Sequence, residues 1–137
     1  VVTLNDIEDG IVAALQGDDD VEFDDALIMA ATALDEAHKK TAMASGGIAV
    51  TYAGSTLIDN LVHGHPITRE VRFVVMVGRK NQGKRRLSHD IMSVVEVLTR
   101  QPIAEVQLTW QSDQLALIHN GVAWHDIVLT ARMNAQA

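Results

Sequence analysis

The chain has 137 residues, 47% apolar and 21% charged, with a net charge of −7 and no cysteine. This length supports one domain, 1–137, with a true core; the lack of cysteine rules out disulfides, cysteine-held zinc and a thiol nucleophile. The acidic balance argues against nucleic acid as the main target, because neutralising phosphates needs a basic face.

No apolar run approaches the ~20 residues that cross a bilayer, so no membrane partner is expected. No basic-then-apolar leader opens the chain, which points to synthesis in the cytoplasm.

Taken in order, Leu4, Ile7, Ile11 and Leu15 repeat at helical spacing. Asn5 and Glu8 suggest a capping box, and Gly17 with the aspartates after it suggests a stop. A second helical stripe is expected over 23–40 from Phe23, Leu27, Ala30, Leu34 and Ala37, with His38, Lys39 and Lys40 at its end. Ser45, Gly46 and Gly47 are expected to break the chain. Ile48, Val50 and Tyr52 alternate as a strand, which Gly54 and Ser55 should end. From Thr56 to Pro66 the reading is irregular or a short helical turn, with Leu57, Ile58, Leu61 and Val62 pinning it to the core.

Thr68 to Arg79 reads as a strand with Val71, Phe73, Val75 and Val77 on one face and Val74 and Met76 on the other, the pattern of a central strand. Asn81-Gln82-Gly83 then turns into a helix whose buried stripe is Leu87, Ile91, Val94, Val95 and Leu98, ended by Pro102. Val106, Leu108 and Trp110 alternate, a turn is expected at Gln111-Ser112-Asp113, and Leu115, Leu117 and the residues to His119 form another strand. Asn120-Gly121 is a strong type I′ signal before a last strand, Val122 to Arg132. The predicted architecture is α+β: an antiparallel or mixed sheet with two to three helices packed against it, closed by a C-terminal β-meander.

The charge is uneven. Asp18, Asp19, Asp20, Glu22, Asp24 and Asp25 crowd the front, while Arg79, Lys80, Lys84, Arg85 and Arg86 crowd one later loop. Each cluster reads either as solvated surface or as a contact between copies or with a partner protein.

Motifs that carry chemistry are sparse. His63 and His65 in HGHP could place two rings on one face, and His119 and His125, the latter beside Asp126, flank the Asn-Gly turn. No HExxH or EF-hand loop accompanies them, so a small metal-binding enzyme is only an alternative reading. Gly78, Gly83 and Lys84 are one residue short of P-loop spacing, and Arg85 stands where Ser or Thr is needed. No GxSxG elbow is present. Trp110 and Trp124 read as core or interface anchors. No cofactor is expected.

The segments IEDGIVAAL, GGIAVTYAGS and REVRFVVMVGRKNQGKRR, with the helix ending VVEVL, resemble the Mu-like phage minor tail protein family, which groups with phage tail terminators. The likeness covers Ile7 to Leu15, Ile48 to Ser55 and Arg69 to Leu98, with the terminal hairpin agreeing in outline. Between Phe23 and Lys40 such a protein should be less helical than the periodicity suggests. The resemblance implies a virion protein, made in the host cytoplasm, that forms a homo-oligomeric ring, commonly a hexamer. Such a ring caps the tail tube at its final length and offers its other face to the head or a connector protein. DNA would pass its channel without specific binding, and an acidic lining would favour that by repulsion. Another head-tail connector or tube-like subunit is the nearest alternative. From the two charge clusters, Arg79, Lys80, Lys84, Arg85, Arg86, Asp18, Asp19 and Asp20 are the candidate interface residues.

Overall fold

In the computed structural model, residues 2–30, 46–59, 68–80, 83–119 and 121–134 are described. The exposed, polar Thr3 at its start and the fully buried stripe of Ile7, Ile11 and Leu15 define α1, Leu4–Gln16. Its cap lies two residues earlier than the Asn5–Glu8 reading. The Thr3 hydroxyl accepts from the Asp6 amide at 3.1 Å and the Asp6 carboxylate accepts from the Thr3 amide at 2.8 Å. Thr-x-x-Asp thus closes the box. Gly17 ends the helix, its N–H donating to the Ala13 carbonyl at 3.0 Å.

The helix predicted to start at Phe23 does not form over 23–30. A one-turn 3₁₀ segment, Asp25–Leu27, leads into β1, Ile28–Ala30, which pairs in parallel with the next strand. Tertiary pairing overrides the helical period here. Gln16 Nε2 fastens this stretch to α1 by donating to the Asp25 and Ile28 carbonyls at 3.1 and 3.2 Å. The remainder of that predicted helix lies outside the described residues.

β2 runs Gly46–Asp59, longer in both directions than predicted. Gly46 belongs to the strand, at φ +123° opposite Arg79, instead of breaking the chain. Gly54, at φ +111°, sits in a register shift between Tyr52 and Gly54 and so bends the strand without ending it. Of the stretch expected to be irregular, 56–59 is therefore strand; Leu61, Val62 and Pro66 lie outside the described residues.

β3, Thr68–Lys80, is central as expected, and α2, Gly83–Thr99, follows it. Ile91, Val94, Val95 and Leu98 are buried and Leu87 half-buried on the predicted stripe. β4, Thr109–His119, and β5, Val122–Asn134, form the closing hairpin. The turn predicted at Gln111-Ser112-Asp113 is a register shift inside β4, between Trp110 and Ser112. Val106 belongs to a small bridge with Ile103, so the expected meander contains two long strands.

The five strands are ordered β1-β2-β3-β5-β4, with β1 parallel and the others antiparallel. The α+β class holds, with two helices over the sheet. The face of Ile48, Val50, Val71, Phe73, Val75, Val77, Ile127, Leu129 and Ala131 packs on α1 and α2. The opposite face buries a second cluster: Ala49, Val74, Met76, Val122 and Trp124. Apolar burial on both faces of β3 is what its unbroken Val-Met run requires.

Candidate functional site

The acidic segment after α1 and the start of the basic loop are predicted as separate clusters; the fold joins them. The Arg79 guanidinium grips the Asp90 carboxylate through Nε, and a second bond runs from a terminal nitrogen at 3.0 Å. The same terminal nitrogen donates to the Glu22 carbonyl at 3.0 Å, and the guanidinium carbon lies 4.1 Å from the centre of the Phe23 ring. At the far end of α2, Arg100 pairs with Asp18, whose other carboxylate oxygen accepts from the Asp20 amide at 2.9 Å. Residues 18–23 thus run alongside α2 with an arginine at each end.

Two of the candidate interface residues therefore act within the subunit. Arg79 is bonded inside it, and Asp18 anchors the acidic segment. Asp19 and Asp20 are exposed, as are Asp24 and Asp25, and Lys80 is exposed at the end of β3. Lys84, Arg85 and Arg86 occupy the first turn of α2, and their side chains lie outside the described residues.

The histidine candidates do not gather among the described residues. His63 and His65 lie outside them, as does the side chain of His119. His125 meets Asp113 on the neighbouring strand, Nε2 to Oδ1 at 2.6 Å, and not the Asp126 beside it. Successive strand residues point to opposite faces, which sends Asp126 away from the helices. Among the described residues no group of three or more His, Asp or Glu side chains is placed to hold a metal ion. No helix among them is long and apolar enough to cross a membrane.

An apolar feature escapes the sequence reading. Trp110, Leu115 and Ile118 pair with Leu129, His125 and Ala123, so all three point to the helix-covered side of the sheet. Yet they are 42%, 57% and 66% exposed. Met92 on α2 is 49% exposed beside them. A groove of about 370 Å³ lies between, lined by Leu87, Ser88, Ile91, Met92, Asp113, Leu115 and His125. The sequence signal was the run Leu115 to Ile118, apolar on both strand faces although the strand has one neighbour only.

A chain in the virion of a native gene transfer agent particle is similar to this protein: TM-score 0.61, 13% identity, 96% of each chain covered. What the two share is the fold. A structure from Akkermansia muciniphila, solved without its transmembrane region, aligns with TM-score 0.33 and 7% identity over 64% of this chain and 46% of that one, too weakly to bear on the argument. No protein-family model and no curated protein matches the chain.

Proposed function

We propose that this chain is a structural protein of a phage-like particle, specifically the ring subunit that terminates a tail tube and presents the docking face for the head or its connector. The observation that carries this reading is the end-to-end likeness of the fold to a chain of a gene transfer agent virion. The segment-by-segment resemblance to the Mu-like minor tail proteins supports the finer assignment. The geometry is compatible with it: the described surface offers a sheet edge open among the described residues and exposed charge of both signs, the ingredients of head-to-tail contact, and a head-to-tail contact that closes makes a ring.

In this reading the copies form a homo-oligomer, a hexamer by analogy, that sits on tube subunits below and a connector protein above. It works in the virion after assembly in the host cytoplasm, and DNA passes its channel unbound. Lys80, Lys84, Arg85, Arg86, Asp19 and Asp20 supply contacts, whereas Arg79 and Asp18 hold the acidic segment in position.

Light scattering coupled to size exclusion, followed by negative-stain imaging, tests the reading. Closed rings with a bore that admits duplex DNA are expected. A protein that stays monomeric both alone and with tail tubes lacking their terminator would overturn it.

A further inference from the structure

We infer that the open edge at β4 is the seat of a second copy of this chain, docked head-to-tail by that copy's opposite, acid-bearing edge. The inference rests on the ring reading and assigns its interface. Three features converge on β4. It is an edge strand of 11 residues with only β5 beside it among the described residues, so one row of backbone groups is open to pairing. Trp110, Leu115 and Ile118 are exposed on one face of that strand, and Met92 is exposed across the groove from Leu115. The groove reaches inward to His125.

Charge selects the partner. Lys84, Arg85 and Arg86 occupy the first turn of α2, the helix whose next two turns carry Ser88 and Met92 beside the groove. The exposed acids Asp24 and Asp25 lead directly into β1, at the other end of the strand order, whereas Asp19 and Asp20 lie on the stretch that runs beside α2. Two β4 edges face to face would leave both basic turns without an acidic partner. A β4 edge against the β1 side of a neighbour sets basic against acidic, and leaves the two edges that are unpaired among the described residues to repeat the contact.

The absence of cysteine permits a direct test. Ile118→Cys on β4 and Asp24→Cys on the acidic segment, both exposed, are prepared separately, mixed and treated with a short bismaleimide. The expected result is a cross-linked dimer in the mixture and none from Ile118→Cys alone. A companion variant, Leu115→Glu with Ile118→Glu, should lose the oligomer while keeping its circular dichroism spectrum. If that variant fails to fold, the cysteine pair still decides.

Efficient cross-linking of Ile118→Cys to itself would overturn the inference in favour of a symmetric dimer. Rings of the parent protein without the mixed cross-link would also overturn it, leaving the ring reading intact and giving β4 to another virion component or to the chain's own segments. Neither rings nor cross-links would remove both.

Discussion

Arg79 on β3 and Asp90 on α2 form a two-bond ion pair across the sheet–helix interface, with the Asp90 side chain 1% exposed and that of Arg79 17% exposed. Removing the arginine alone strands a buried carboxylate. Arg79→Ala should therefore lower unfolding free energy by about 3 kcal/mol, read by urea denaturation. Replacing both partners with leucine should recover much of that loss, since an apolar pair leaves no unpaired charge. Equal losses in the single and double variants would show that the pair's charges are not what holds β3 to α2.

Gly78 and Trp124 are cross-strand partners, and a Cβ at Gly78 would overlap the indole ring. Trp124 is fully buried, so it has no room to swing away. Gly78→Ala should cost about 2 kcal/mol by overpacking and shift the tryptophan emission. An unchanged thermal midpoint would mean the ring can give way.

Ala104 and Glu105 both hold positive φ, 49° and 68°, in the tight turn closed by the Ile103–Val106 bridge. This is the backbone that glycine and asparagine favour. The turn is fixed against α1: a Cβ on Gly10 would come within 2.8 Å of Ile103 Cγ2. Glu105→Gly relieves one left-handed residue and should stabilise by about 1 kcal/mol, raising the thermal midpoint by a few degrees. Gly10→Ala should act in the opposite sense.

The first turns of α1 make an acid-range signature. The Thr3 backbone hydrogen bond, followed by its hydroxyl, lowers the Asp6 pKa from 3.8. Burial, reinforced by Asp9, raises that of Glu8 from 4.5. The Asp6 contribution is present above its unfolded value and fades as pH falls through the lower folded one. Glu8 behaves oppositely: its charge opposes folding at neutral pH, and the cost disappears as pH drops below its folded value. Glu8→Gln should therefore raise the thermal midpoint at pH 7 and have little effect near pH 4, whereas Thr3→Ala should lower it at pH 7.

If the basic first turn of α2 contributes to assembly, Arg85→Glu with Arg86→Glu should weaken oligomer formation and the yield of infectious particles. Unchanged assembly and yield would reduce that turn to solvated surface.

The sequence was most legible where one face or both had to be apolar. β3 and α2 follow from the Val71–Val77 run and the Ile91–Leu98 stripe because burial leaves a period. The misreadings came from residues whose role is decided by partners distant in sequence. Phe23, Leu27 and Ala30 keep helical spacing, yet Ile28 to Ala30 pair with Ile48 to Val50. Gly54 looked like a stop because a bulge and a turn call for the same residue. Of the candidate site, the composition of the charge clusters was readable, but not that Arg79 and Asp18 are bonded inside the subunit, since Asp90 and Arg100 carry no local signal of it. The exposed apolar residues of β4 were hidden for a related reason: Leu115 and Ile118 look like core until it is known what packs over the edge strand.

The segment beside α2 holds one more consequence. Because Arg100 fastens it at Asp18 and Arg79 fastens it at Glu22 and Phe23, its backbone is ordered before any neighbour arrives. A free acidic loop would lose conformational freedom on being captured, and that loss would subtract from the affinity. Here the subunit has already borne the loss in folding. Whatever meets Asp19 and Asp20 encounters charges at set positions, so discrimination among partners rests on matching a fixed spacing, and loosening either arginine would blur recognition without removing a single acidic group.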